Sequence, residues 1–504
     1  MVVNQMKRKD IHTLRDEVRY LNELCEKDKK KKKKKKKKYS FLIGEDCVWD
    51  CYSPNIQPGN QKKMNFFHPF LLNSECESGF FFGLPDTKTP HMYIGMRQGT
   101  EGHIAIIGST GSGKSSGIVK PTLKTWDGAL CVTDIKGELS HFYAQLYEQK
   151  LVTRPYIIFD PFNPDSVGYD PFSWLIKDDE SNIVRNIWEI ALAIIPVLPD
   201  DKQPFWADSE RSAFAAALLY FFQRGYSFSE SIMKIMSSTI SEVCMEIIED
   251  KNLIAKMFLG EISSMKPDIM AAIDRGIRNK LMLFSTDPHL SNAFRGAREN
   301  ASHFTWDDLE KYNIFLRIPE TCLEQWSGAI NLMYTQLIRH LERRPDMHSA
   351  AGTKNIPTLL LLDEFARFGK LEMITNALAT LRSKNVNICL ILQSVAQLDR
   401  IYGVNERRIL FDNCQFKAIL QVNDPETQRM ICDLIGTQTT FQRSFTKNFD
   451  ILYYPTSYSQ GFHEIREPFV YPHELSSLND TLLLTPQGFF RINKGSCMMK
   501  LSFS

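Results

Sequence analysis

The chain has 504 residues, 43% hydrophobic and 24% charged. These proportions exclude a disordered, collagenous or disulfide-stapled chain, and the length suits two or three domains, one of which can interrupt another. The formal net charge is +2, yet ten positive charges belong to the unbroken lysine run 29–38, which leaves −8 on the rest. Any nucleic-acid surface must therefore be a local basic patch on an acidic body.

In chain order, residues 1–40 form a separate tract. Ile11, Leu14, Val18, Leu21 and Cys25 keep a 3,4 spacing that predicts a short docking or oligomerisation helix, with fewer repeats than the roughly three to four heptads of a stable coiled coil. The lysines that follow admit three readings: a solvated spacer, a contact with nucleic acid, or a peripheral contact with an anionic membrane. Lys7, Arg8, Lys9 and Asp10 interrupt any apolar signal segment. No run approaches the ~20 apolar residues of a spanning helix; the best, Ala213 to Phe222, is bounded by charged residues and reads as a buried core helix. The expectation is a cytoplasmic chain without a transmembrane helix, recruited to the inner face of the cell membrane. The cysteines fit reduced thiols: Cys47 and Cys51 are the closest pair and lack partners for a zinc site, while Cys131, Cys389 and Cys414 fall in apolar strand-like runs.

From about residue 100 the pattern alternates. His103 to Ile107, Ala129 to Thr133 and Tyr156 to Phe159 read as strands, with helical stretches at 114–124 and 139–148. Between about 176 and 300 the strands vanish, and Ile183 to Ile195, Ser209 to Phe222 and Ile240 to Met257 read as helices. Strand-like runs resume at Asn313 to Ile318, Thr358 to Leu362, Asn387 to Leu392 and Cys414 to Leu420. This predicts an α/β fold, a mostly parallel sheet flanked by helices with an inserted all-α domain, and, together with the glycine-rich motif at 108–115, a RecA-like P-loop NTPase. The expected boundaries are a charged tail with the lysine linker at 1–40, the first part of the P-loop domain at 41–175, the insertion at 176–300, and the second part at 301–504.

Gly108, Ser109, Thr110, Gly111, Ser112, Gly113, Lys114 and Ser115 satisfy G-x-x-x-x-G-K-[ST], and Ser116 follows. A strand precedes the motif and a helix follows, the context in which backbone N–H groups wrap a phosphate. Lys114 would reach the β and γ oxygens of ATP, and Ser115 would ligate Mg2+. Four leucines, 359–362, end in Asp363 and Glu364; Asp363 would hold the magnesium and Glu364 would polarise the attacking water, which is hydrolysis rather than transfer. Gln393 follows the strand ending at Leu392 and would emerge at the same sheet edge, where it can sense the γ-phosphate; alone it is an ordinary polar strand end. Arg382, alone, is an ordinary helical arginine.

Together these motifs resemble the coupling ATPases of type IV secretion and conjugation, the TraG/TraD-like family of ring-forming P-loop motors. The resemblance runs from about residue 90 to the end. It includes Thr133-Asp134-Ile-Lys136-Gly137-Glu138, Phe159-Asp160-Pro161-Phe162, Pro204-Phe205-Trp206, and Leu362-Asp-Glu-Phe-Ala-Arg-Phe-Gly-Lys370 with its continuation to Gly436. It implies that Arg382 reaches a neighbouring subunit's nucleotide in a homo-oligomer, a hexamer in the family, and that Gln393 is the phosphate sensor. It further implies single-stranded DNA with its relaxase, or a secreted protein substrate, as cargo, and type IV secretion channel components as partners. Family members usually begin with transmembrane helices; a soluble branch with a membrane partner, peripheral attachment through the lysines, and loss of the anchor are the explanations open to this chain. Two other functions compete: a non-hydrolytic recruitment module, and a P-loop DNA translocase of plasmid segregation or packaging. The first has no chemical need for Lys114, Ser115, Asp363, Glu364, Arg382 and Gln393 together, and the 362–370 stretch with the helical insertion argues against the second.

Overall fold

Apolar β-branched and leucine runs dominate the middle of the chain, and a strand that is apolar on both faces belongs inside a parallel sheet covered on both sides. The computed structural model describes residues 51–52, 70–85, 91–175, 180–196, 204–250, 253–260, 262–296, 302–349, 355–371, 373–449 and 455–495. The expected helix at 11–25 and the lysine run lie outside these residues.

Ten strands form the central sheet. In chain order they are β1 (Cys51–Tyr52), β5 (Ile104–Ile107), β6 (Ala129–Thr133), β7 (Tyr156–Phe159), β10 (Asn313–Leu316), β11 (Thr358–Leu362), β12 (Val386–Leu392), β13 (Phe416–Ile419), β16 (Thr481–Thr485) and β17 (Gly488–Ile492). Their spatial order is β1-β17-β16-β13-β5-β12-β11-β6-β10-β7. The seven from β13 to β7 run parallel, and β16, β17 and β1 add an antiparallel edge. A separate small sheet is built from β2 (Leu71–Asn73), β3 (Gly79–Gly83) and β4 (Met92–Arg97), in the order β2-β4-β3.

The period-two alternation of the strands divides the core. Ile104, Ile106, Leu359 and Leu361 join the apolar cluster on one face, with Tyr143 and Trp126; Ala105, Ile107, Leu360 and Leu362 join the cluster on the other. A polar residue in β10 is fully satisfied: Asn313 accepts from the Leu130 N–H at 2.9 Å and donates to the Tyr143 hydroxyl at 2.7 Å, so its burial does not leave an unpaired amide.

Short strands β8 (Gly168–Tyr169) and β9 (His303–Phe304) pair in parallel, and every described element between them is helical. A 20-residue helix, Pro204–Gln223, lies at the centre of this insertion, buried all round from Ala213 to Phe221. Two capping boxes start the helices after it. Ser227 pairs with Glu230, and Thr239 pairs with Glu242, each satisfying N–H groups that a helix start leaves open. The single helix expected from Ile240 to Met257 is in fact two, Ile240–Glu249 and Leu253–Leu259, because Asp250 takes an extended ψ of 164° and ends the first. Beyond the parallel core, β14 (Thr437–Phe449) and β15 (Pro455–Pro468) form a long antiparallel ribbon.

Candidate functional site

Strand register brings three loops of the sheet's carboxyl edge together. β12 lies between β5 and β11, with Leu392 opposite Ile107 and Leu390 opposite Leu362. The loops leaving these ends carry Gly108 to Ser115, Asp363 with Glu364, and Gln393, so residues about 280 apart in sequence share one crevice, as expected of an open α/β sheet.

The phosphate loop has the backbone its sequence demands. Gly111 and Gly113 sit at φ +78° and +94°, the left-handed region that glycine occupies without strain. A Cβ on Gly108 would lie 2.5 Å from Ser112 Oγ and 3.0 Å from Leu420 Cβ. Ser112 Oγ is buried and has no hydrogen-bond partner among the described residues. Ser109 is tied down on both sides: its N–H donates to Gln421 O at 2.8 Å, and its hydroxyl accepts from the Asn423 N–H at 3.1 Å. Ser115 opens a wide π-type turn, Ser115–Val119, that runs into the helix Lys120–Thr125, and Ser116 lies in its first turn.

Lys114 Nζ donates to Gly108 O at 2.5 Å and to Ser109 O at 3.2 Å, folded over the loop. Burial lowers its pKa, and the nearby carboxylates of Asp363 and Glu364 oppose that shift. Asp363 is 7% exposed. Its carboxyl is pushed up to about 6, first by burial and then by the adjacent Glu364 charge, with Lys136 and Lys114 pulling the other way. A carboxylate so poorly solvated gains from a cation beside it.

Glu364 is the strained member, a non-glycine at φ +49°, a conformation that clusters at functional sites and costs of order 1–3 kcal/mol. Its Oε1 accepts from Gln393 Nε2 at 3.2 Å and lies 3.7 Å from Lys136 Nζ; its Oε2 lies 2.7 Å from Arg367 Nε. Gln393 also links to the phosphate loop, its Oε1 accepting from Thr110 Oγ1 at 3.3 Å. The structure thus brings Thr110, Gln393 and Glu364 into one hydrogen-bonded chain beside Lys114 and Asp363.

Arg382 is not part of this cluster. It sits in the turn Leu381–Lys384 that enters β12 at its amino end, on the opposite edge of the sheet from the phosphate loop of the same chain. There its Nε pairs with Glu101 Oε2 at 2.9 Å, and Glu101 also meets His348 Nε2 at 2.6 Å. Two contacts around Glu364 escaped the sequence reading. Lys136 reaches it from the loop after β6, and Arg367 lies only three positions after it, a spacing that reads as an ordinary surface pair.

Similarity to known proteins follows the same span. A family model described as "Type IV secretory system Conjugative DNA transfer" matches residues 76–485. Protein VirD4 of Agrobacterium fabrum (strain C58 / ATCC 33970) is 23% identical over 401 residues, covering 76% of this chain and 56% of VirD4. Conjugal transfer protein TraG of Escherichia coli is 21% identical over 422 residues, covering 79% of this chain and 65% of TraG. The chain therefore spans less than two thirds of the length of these relatives. Among solved structures, the plasmid coupling protein TrwB in complex with ADP and Mg2+ superposes with a TM-score of 0.58 at 17% identity, covering 78% of this chain and 85% of TrwB; at that identity the likeness is one of fold. With four fifths of its length matched by the family model, the chain belongs to the type IV secretory system conjugative DNA transfer family.

Proposed function

We propose that this chain is an ATP-hydrolysing coupling protein, which recruits single-stranded DNA with its relaxase, or a protein substrate, and drives it toward a type IV secretion channel. One observation carries the reading. The interleaving of β12 between β5 and β11 places a phosphate loop, two tandem carboxylates and a glutamine at one crevice, while Arg382 faces away from it. The binding and water-orienting groups share one subunit's crevice, and Arg382, on the opposite sheet edge where it pairs with Glu101, would serve a neighbour's, the logic of a finger supplied in trans.

The residues fit ATP and Mg2+. The left-handed glycines Gly111 and Gly113, the unpaired Ser112 hydroxyl and Lys114 suit the phosphates, and Ser115 and the poorly solvated Asp363 suit the ion. Magnesium characteristically rests on one or two protein oxygens plus the substrate phosphates; when bound it supplies charge neutralisation on the β and γ oxygens. Glu364 would orient and deprotonate the attacking water, and Gln393, bonded to both Glu364 and Thr110, would register the terminal phosphate. TrwB, of the same fold, has been solved with ADP and Mg2+, which supports nucleotide as the ligand.

Domains follow as part of the same reading: a P-loop domain in two parts, 41–175 and 301–504, with the 176–300 insertion as the end that meets substrate, in a ring taken to be a hexamer. Among the described residues no helix is long and apolar enough to cross a membrane. Attachment at the inner face of the membrane is proposed to come from a membrane partner or from the lysine run. The test is steady-state ATP hydrolysis by the full chain with and without single-stranded DNA, over a salt series. DNA-stimulated hydrolysis that Lys114→Ala abolishes supports the reading; a chain that binds nucleotide but never hydrolyses it overturns it in favour of a recruitment module.

A further inference from the structure

Glu364 is held by more than the residues that define the nucleotide site. Arg367 stands at the third position of the turn Phe365–Phe368, and its two sides serve different carboxylates. Its Nε lies 2.7 Å from Glu364 Oε2, and its Nη1 donates to Glu320 Oε1. The backbone closes the same loop, with the Arg367 N–H donating to Glu364 O at 2.8 Å. Glu364 is nearly enclosed, its side chain 10% exposed, whereas Glu320 is 51% exposed. The guanidinium thus bridges an inner carboxylate to an outer one.

Glu320 does not float. It opens the turn Glu320–Cys322, which follows β10, and the segment is pinned at Trp326, whose N–H donates to Cys322 O at 2.8 Å. The Trp326 indole, 1% exposed, donates to Asp287 Oδ2 at 3.1 Å. Asp287 in turn caps the helix Pro288–Ala293, and Phe162 stacks on both Trp326 and His289, with ring centres 5.7 and 4.1 Å away. The outer end of the bridge is therefore anchored where the helical insertion meets the sheet.

We propose that Arg367, braced by Glu320, is a positioning residue that fixes the Glu364 carboxylate in the orientation hydrolysis requires. The inference rests on the reading of Glu364 as the water-orienting base. A base must present one oxygen to the water, and a guanidinium whose other side is held by Glu320 fixes where its Nε meets the carboxylate in a way that a free point charge does not. Lys136, 3.7 Å from the other oxygen and 54% exposed, supplies charge without that constraint. The Arg367–Oε2 contact is a close ion pair without hydrogen-bond alignment, so it holds the carboxylate in place by charge and leaves Oε2 its acceptor capacity.

The test is a kinetic series on the full chain: Arg367→Lys, Arg367→Ala, Glu320→Ala, the Arg367→Ala/Glu320→Ala double variant, and Glu364→Gln, each with its ATP affinity measured by titration. The expected result is a kcat lowered by about tenfold or more in both Arg367 variants, with nucleotide affinity within about twofold of the parent, since misorientation of a reacting group costs rate rather than uniform binding. Glu320→Ala should lower kcat by a smaller factor, and the double variant should be no slower than Arg367→Ala alone, because Glu320 acts through Arg367. Normal kcat in both Arg367 variants, multiplied losses in the double variant, or a rate that falls only in step with nucleotide affinity would each overturn the proposal. Full hydrolysis in Glu364→Gln would instead remove the base assignment beneath it, which distinguishes the two failures.

Discussion

Arg382 and Glu101 form an ion pair, Nε to Oε2 at 2.9 Å, at the amino edge of a sheet whose carboxyl edge holds the phosphate loop. The pair separates the arginine from the nucleotide crevice of its own subunit. If Arg382 completes a neighbour's site, its loss should spare binding and cost rate. Arg382→Ala is expected to bind ATP as the parent does while hydrolysis falls by about 10³-fold, the lower range for a missing arginine finger. Isothermal titration alongside steady-state hydrolysis checks this; parallel losses in both would place the arginine elsewhere.

Lys114 and Asp363 should fail in different ways. Lys114→Ala removes the cation folded over the loop and is expected to lower hydrolysis by at least about 10²-fold, a typical cost of removing one preorganised charge-stabilising donor. Asp363→Asn keeps the shape but not the charge, so its residual activity should need far more Mg2+ than the parent. A magnesium titration of activity distinguishes them: the Asp363→Asn curve shifts to higher concentration, and an unshifted curve would take magnesium away from Asp363.

Gly108 is tightly enclosed, and a methyl there would press on Ser112 Oγ and the Leu420 Cβ. Overpacking of this kind costs about 1–3 kcal/mol. Gly108→Ala is expected to weaken ATP binding by roughly tenfold or more by pushing the loop off its phosphate-wrapping path. Unaltered affinity would mean that the loop relaxes freely.

His103 offers a pH test of the scaffold. It is fully buried, accepts from the Ile388 N–H through Nδ1 at 3.0 Å and donates through Nε2 to Leu378 O at 2.7 Å. Burial holds its pKa down at about 4 against an ordinary 6.5. The folded chain therefore binds fewer protons here than the unfolded chain between those values, so stability falls as pH drops from about 6.5 toward 4, by at most roughly 3 kcal/mol from this group. Thermal melts from pH 7.5 to 4.5 should show a shallower slope in His103→Gln, whose amide can replace both bonds. Equal slopes would contradict the assignment.

Much of this was legible in the chain. The phosphate loop carries its own signature, and four leucines ending in two acids announce a buried strand with a charged tip. The order of strands was not legible, because which strand lies beside β5 depends on pairings across the whole chain, and the placing of Gln393 beside Glu364 follows from that order. Arg367 and Lys136 stayed hidden for the same reason: one looks like a surface i,i+3 partner, and the other is more than 200 residues from Glu364. The ribbon of β14 and β15 escaped notice because its apolar residues, Phe441, Phe445 and Phe449 in one strand and Tyr458, Phe462 and Ile465 in the other, are too widely spaced to give the strict alternation that marks a half-buried strand. The break at Asp250 hid inside a pattern that stays apolar at helical spacing on both sides.

The most direct test of the account mixes two inactive chains. Lys114→Ala lacks the cation proposed to bind phosphate, and Arg382→Ala lacks the arginine proposed to act in trans. If the site is completed across a subunit boundary, mixed rings contain interfaces in which an intact Lys114 faces an intact Arg382, and hydrolysis should rise well above that of either chain alone. A mixture no more active than its two components summed would contradict the trans assignment, and with it the reading of this chain as a ring motor.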